Sequence, residues 1–276
     1  MCVPGCEEAV RQALTRRGFF KNMTLGAAAA GFAASAIAPG EAQAATRKFT
    51  QVVDLTHTMS PDFPTFFGVP GVTLEKQFDI KKDGFNLNWW RIVEHAGTHL
   101  DAPIHFSETG ATLETIAADA LVLPLVVVDV AAAAARNPDY QLSRADLQAW
   151  EKRHGKIPPR ACIAMNSGWA RYANDGAKYT GKDAAGVFHF PGFAPDAAQW
   201  LMKERNAAAI AVDTLSLDHG PSKDFATHKQ WLPSGRWGLE NVANLDKVPA
   251  KGATLVAGVA KVKGATGGPV RVMALV

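Results

Sequence analysis

Cysteine is nearly absent: the 276 residues contain three, and Cys2 and Cys6 both fall in an N-terminal segment set apart below. Cys162 then stands alone, which excludes an intramolecular disulfide and a closed, cysteine-ligated structural zinc site. Its apolar neighbours mark it as a buried small hydrophobe rather than a nucleophile. The chain also lacks any block of Lys and Arg, and its formal charge is only +3, so it has no electrostatic footprint for nucleic acid. Between Ala45 and Val276 there is no low-complexity linker, long charge run or internal repeat, and one domain is the simplest reading. What is present is a chain 47% hydrophobic and 20% charged, long enough to bury a substantial core and suited to a small-molecule partner.

The first 44 residues read as a targeting segment rather than as part of the fold. Thr15-Arg16-Arg17-Gly18-Phe19-Phe20-Lys21 precedes an apolar, Ala-rich run from Met23 to Ala38, and Pro39-Gly40 breaks that run. Ala42-Gln43-Ala44 then offers small residues where a signal peptidase reads, placing cleavage after Ala44. The paired arginines resemble a twin-arginine signal, which predicts export of an already folded protein to the periplasm. The run is short and rich in Ala and Gly, so no stable membrane span is expected once it is removed. Removal leaves 25 basic and 23 acidic residues, a nearly neutral domain spanning 45–276.

Within that domain, β-branched apolar runs predict strands at Gln51 to Leu55, Leu121 to Val130, Ala161 to Met165, Ala208 to Val212, Thr254 to Val262 and Pro269 to Val276. Ser143 can cap a helix from Arg144 to His154 closed by Gly155, and Pro195 can open another through Trp200 and Leu201 to Asn206. Strands alternate irregularly with helices and dominate the early half. The expectation is a mixed α/β domain rather than a regular doubly wound sheet.

Three of the eight histidines and one aspartate fall within eleven residues, as H-x-x-x-H-x-D-x-x-x-H at His95, His99, Asp101 and His105. Gly97, Thr98 and Pro103 argue against a continuous helix. In an extended segment His99, Asp101 and His105 share one face by the period of two, while a turn at Gly97 can swing His95 back beside them. Imidazole and carboxylate are ligands that suit zinc or manganese, and a carboxylate can bridge two ions. The bland alternative, histidines satisfied by nearby carbonyls, suits a lone residue better than this cluster. Further along, Val212 to Pro221 leaves a strand, with His228 and Glu240 beyond it. By spacing alone these two read equally well as a structural histidine and a solvated helix glutamate. Phe66, Phe67, Phe85, Trp89 and Trp90 precede the motif; they suggest either a flat apolar substrate or simple core packing.

The segment His95-Ala96-Gly97-Thr98-His99-Leu100-Asp101-Ala102-Pro103-Ile104-His105 resembles throughout the H-x-G-T-H-x-D-x-P-x-H signature of the cyclase family of metal-dependent hydrolases, which includes bacterial kynurenine formamidases and isatin hydrolases. Asp54-Leu55-Thr56-His57 is similar to that family's opening Asp-Leu-Ser-His, and the Val212 to Pro221 segment with His228 and Glu240 extends the likeness over nearly all of the domain. The resemblance implies a single layered β/β/α domain assembled as a homo-oligomer, dimer or tetramer. It implies that His95, His99 and Asp101 bind one metal, that Asp101 reaches a second site completed by His228 and Glu240, and that His105 is the general acid/base. Phe66 keeps an aromatic at the family's substrate-stacking position, whereas Phe67 replaces a proline. The implied activity is hydrolysis of a C–N bond in an amide or cyclic amide by water activated on one or two divalent ions, zinc or manganese. An export signal favours an isatin-like substrate over the cytoplasmic kynurenine derivative. A lactone or ester hydrolase, a true cyclase, and a catalytically silent periplasmic binding protein stand as alternatives.

Overall fold

The computed structural model describes residues 48–276, so the targeting segment, its paired arginines and its cleavage point lie outside the described residues. The strands, in chain order, are β1 (Val52–Asp54), β2 (Val72–Phe78), β3 (Leu87–Ile92), β4 (His99–Asp101), β5 (Val122–Asp129), β6 (Gln141–Leu142), β7 (Cys162–Asn166), β8 (Gly192–Phe193), β9 (Ala209–Val212), β10 (Trp237–Glu240), β11 (Thr254–Val259) and β12 (Gly267–Leu275). The helices are α1 (Ile80–Asp83), α2 (Ala131–Ala134), α3 (Arg144–His154), α4 (Gly176–Thr180), α5 (Pro195–Trp200) and α6 (Ala226–Trp231).

Eight strands form one sheet in the order β1-β12-β11-β5-β7-β9-β10-β4, and β4 pairs back onto β12. That last pairing closes the sheet into a barrel, because the long β12 offers one edge to β1 at its end and to β4 at its start. Strands β5, β7, β9 and β10 run parallel to one another, and the others join antiparallel. The fold is therefore mixed α/β, and strand order departs from chain order wherever a helix carries the chain across.

Alternation along the parallel strands explains the layers. Leu125, Val127, Cys162, Ala164, Ala209 and Ala211 point into the barrel, where the small side chains suit a narrow interior. Their neighbours Val126, Val128, Ile163, Met165, Ile210 and Val212 point outward onto α3, α5 and α6 through Leu147, Trp150, Leu201 and Trp231. One closed sheet and a helical cover on its outer face make up the mixed α/β domain. Helix α3 begins and ends where its caps predict: the Ser143 hydroxyl accepts from the Asp146 N–H while the Asp146 side chain accepts from the Ser143 N–H. The second helix differs from expectation, since α5 stops at Trp200 and the chain widens into a π-helical turn over Leu201–Arg205. Strands β2 and β3 make a separate two-stranded sheet. Among the described residues no helix is long and apolar enough to cross a membrane.

Candidate metal centre and pocket

The motif does not run on as one extended segment. Gly97 adopts φ +63°, a turn for which glycine is suited, and only His99–Asp101 form a strand. Pro103 then opens a 3₁₀ turn over Pro103–Phe106. His105 therefore reaches the site from that turn and not by the period of two along a strand, a correction imposed by the fixed φ of proline. Its ring stacks on His95 with centroids 3.7 Å apart and planes 20° from parallel.

Strand β4 places Leu100 in the barrel core and turns His99 and Asp101 to the opposite face. Strand β10 does the same, with Leu239 inward and Glu240 outward, and its register sets Glu240 directly opposite His99. Glu240 thus lies on a buried strand, not on a solvated helix. On the other edge of β4, Gly267 pairs with Asp101, and a Cβ there would stand 2.5 Å from Cε1 of His95. Glycine makes room for the imidazole. His228 comes from α6, and all five residues with His105 meet at one end of the barrel wall.

Two imidazoles have their tautomers set by backbone or carboxylate acceptors. His99 donates from Nδ1 to the Gly97 carbonyl at 2.9 Å, and His228 donates from Nδ1 to Asp218 at 2.6 Å. Each Nε2 is left facing carboxylates: His99 Nε2 is 3.3 Å from both Asp101 Oδ1 and Glu240 Oε2, and His228 Nε2 is 3.0 Å from Glu240 Oε1 and 3.5 Å from Asp101 Oδ2. His95 is held differently, with Nδ1 donating to Asp101 Oδ1 at 2.7 Å and Nε2 at 2.9 Å from the Thr266 hydroxyl.

The electrostatics follow from burying two carboxylates among these rings. Burial opposes protonation of His99, but Asp101 and Glu240 outweigh it and raise the group to about 10. His228 is raised against its own burial by Asp101, Asp218 and Glu240. Burial alone would raise Asp101, yet the neighbouring imidazoles hold it well below the ordinary carboxylate range. His105 goes the other way, lowered to about 4 chiefly by burial.

A divalent cation fits this donor set. His99 Nε2 and Asp101 Oδ2 are buried without a hydrogen-bond partner, an expense a fold rarely leaves unmet. Ligand atoms about 2.1 Å from a tetrahedral ion stand about 3.4 Å apart, near the 3.0 to 3.5 Å separations of His99, Asp101, Glu240 and His228. His95, Asp101 and His105 form a second such triplet. Soft ligands are absent, which suits borderline or hard ions.

Above this floor lies a largely apolar pocket of about 230 Å³. Phe66 lines it and stacks on Phe188 at 4.7 Å, with Phe106 and Phe225 alongside. Phe67 is on the rim and 63% exposed. Phe85, Trp89 and Trp90 belong neither to this pocket nor to the core; they are exposed on the β2–β3 hairpin and its loop. Sequence reasoning named the Val212 to Pro221 segment without singling out Asp218, which positions His228, and it missed Thr266 and Glu94, which position His95. No spacing signal marks Thr266 and Glu94, since they lie 172 residues apart. It also missed Asn241, at φ +56°, whose side-chain oxygen accepts from the Tyr179 hydroxyl and whose side-chain NH₂ donates to the same Gly97 carbonyl that orients His99.

Residues 53–219 match the family described as putative cyclase. An isatin hydrolase of Roseibium aggregatum is 32% identical over 243 residues, covering 82% of this chain and 92% of the relative. The solved structure of isatin hydrolase A from Ralstonia solanacearum superposes with a TM-score of 0.77 at 35% identity, covering 82% and 92% of the two chains. A kynurenine formamidase of Paracidovorax citrulli is 29% identical over 178 residues, 64% of this chain and 74% of the relative. The chain belongs to the putative cyclase family.

Proposed function

We propose that this protein is a metal-dependent hydrolase that opens the C–N bond of a small, flat cyclic amide of the isatin type, acting in the periplasm after export. The observation that carries the reading is the pair of buried, partnerless ligand atoms, His99 Nε2 and Asp101 Oδ2, in contact with His95, His228 and Glu240, which line an aromatic pocket. The similarity to isatin hydrolases over most of both chains supports the substrate class. The paired arginines Arg16 and Arg17 with the Met23 to Ala38 run support export.

In this reading His95, His99, Asp101, His228 and Glu240 hold zinc or manganese, one or two ions. Such a cation supplies Lewis acidity, acidifying water and polarising a carbonyl. Phe66, backed by Phe188, stacks against the substrate ring, and Phe106 and Phe225 exclude water from its edge. His105 stands beside the ligand cluster with its ring held by His95. It takes the proton of the attacking water and returns one to the leaving nitrogen, a transfer of the kind a positioned imidazole performs. Asp218 and the Gly97 carbonyl each accept from Nδ1 of one ligating imidazole, which turns both Nε2 atoms toward the carboxylates and a bound ion.

The test is hydrolysis of isatin, aryl formamides, lactams and lactones by the purified protein before and after dialysis against chelator, with zinc or manganese restored. Opening of isatin that disappears with chelation and returns with metal is expected. Turnover of lactones alone would move the protein to the ester-cleaving alternative. Stoichiometric metal without turnover of any compound would make it a binding protein.

A further inference from the structure

The loop between α4 and β8 builds the back of the pocket's aromatic wall. Its Phe188 stacks on Phe66 with centroids 4.7 Å apart and planes 26° from parallel, and Lys182 Nζ lies 4.5 Å from the centre of the Phe188 ring. Two residues on, Phe190 is fully buried in a cluster with Phe63, Trp169 and Tyr179. Between these two aromatics sits His189, its side chain 30% exposed. A wall residue and a core residue thus flank one half-buried imidazole.

Each nitrogen of that ring faces a carboxylate. Nδ1 is 2.9 Å from both oxygens of Asp139, which lies between α2 and β6, and Nε2 is 3.5 Å from Asp183 Oδ2, in the turn that leads to Phe188. The other Asp183 oxygen accepts from the N–H groups of Ala185 at 2.9 Å and Val187 at 2.8 Å, so one carboxylate both shapes the turn and meets the imidazole. A neutral imidazole carries one N–H and would turn a lone pair toward one of these acids, whereas the imidazolium donates to both. The hydrogen bond to Asp139, and then Asp183, accordingly raise His189 above the ordinary imidazole value. With the folded value raised, the double contact is complete below about 6.5 and is lost as pH rises through that raised value.

We propose that His189 is a positioning residue for the pocket: as an imidazolium it ties the 183–189 turn to Asp139 and holds Phe188 behind Phe66, and substrate binding weakens when that proton is lost. The proposal rests on the hydrolase reading for the role of Phe66 as the substrate's stacking partner. Loss of the proton to solvent leaves one nitrogen donating, and the longer contact to Asp183 is the one that opens. The turn then loses its tie to Asp139, and the ring behind Phe66 loses its anchor. His189 touches no ligand of the metal centre, so the effect falls on binding rather than on the chemical step.

Kinetics of isatin opening from pH 6 to 9, with metal-loaded wild type, His189→Gln and His189→Arg, test this. The wild-type KM is expected to rise with pH by roughly three- to ten-fold, the scale of one partly exposed charge-assisted contact. His189→Gln, neutral throughout, should show the raised KM at every pH, and His189→Arg, charged throughout, the low one, with kcat and metal content following the wild type in both. A KM profile that His189→Gln shares with the wild type would overturn the proposal. Hydrogen exchange reads the clamp without turnover: protection factors of the Ala185 and Val187 amides are expected to fall between pH 6 and 9 in the wild type. Protection that stays constant there would overturn the proposal, whether or not the variants fold. Protection that falls as expected in a protein that opens no isatin would uphold the clamp and refute the substrate assignment instead.

Discussion

The metal centre and the β2–β3 hairpin break the usual rule of burial in opposite senses. At the centre, His99, Asp101, His228 and Glu240 are buried charge-bearing groups with two donor atoms unpartnered. On the hairpin, Leu74, Trp89 and Trp90 are large apolar groups left in water. Each fault names what is missing: partnerless imidazole and carboxylate atoms ask for a cation, and an uncovered apolar face asks for another surface. Asp213 sharpens the contrast. It is as buried as Asp101 and accepts from the N–H and hydroxyl of Ser167 and the N–H of Trp169, yet burial pushes it up to about 6. Hydrogen bonds satisfy that carboxylate without a counter-charge, whereas Asp101 depends on one.

The largest effect is expected from Asp101→Ala, which removes the carboxylate shared by His95, His99 and His228. Metal binding and turnover should be lost together, and the metal-free protein should lose about 3 to 5 kcal/mol in denaturant unfolding because the remaining groups are left uncompensated. Next comes His105→Ala, expected to lower kcat by roughly 10²- to 10⁴-fold with metal content unchanged. Loss of metal in that variant would make His105 a ligand. Asp218→Asn should weaken metal affinity about 10- to 100-fold in competition with a fluorescent chelator, since it frees the Nδ1 that fixes His228.

The smallest effect concerns Asp213. Its folded pKa lies above its unfolded one, so the folded protein binds the proton more tightly, and the stability this gives is lost as pH rises from about 4 to 6. Asp213→Asn should therefore gain on the wild type across that window by up to about 3 kcal/mol, with no further change above it. Melting temperatures measured by calorimetry across this pH range check the sign. A difference that moves the other way would mean Asp213 is stabilised as the anion.

Much of this was legible from local signals. The cap at Ser143, the apolar runs that form β5, β7 and β9, and the density of ligands from His95 to His105 are written in adjacent residues. What was not legible depends on distant pairing. His99 meets Glu240 only because β4 and β10 pair antiparallel, and His95 fits only because β12 brings Gly267 beneath it. The reading of His105 as an extended-strand residue failed because Pro103 starts a 3₁₀ turn. The aromatics of the hairpin were undecidable between pocket and core, and they belong to neither, since alternation shows that a face wants cover without showing who supplies it.

Elemental analysis of the purified protein beside Asp101→Asn tests the central claim most directly, because that change keeps the side chain's shape and removes its charge. The account predicts one or two equivalents of a divalent ion per wild-type chain and little or none in the variant, with isatin opening falling in parallel. An active wild type free of metal, or a variant that retains the wild-type ion content, would contradict it.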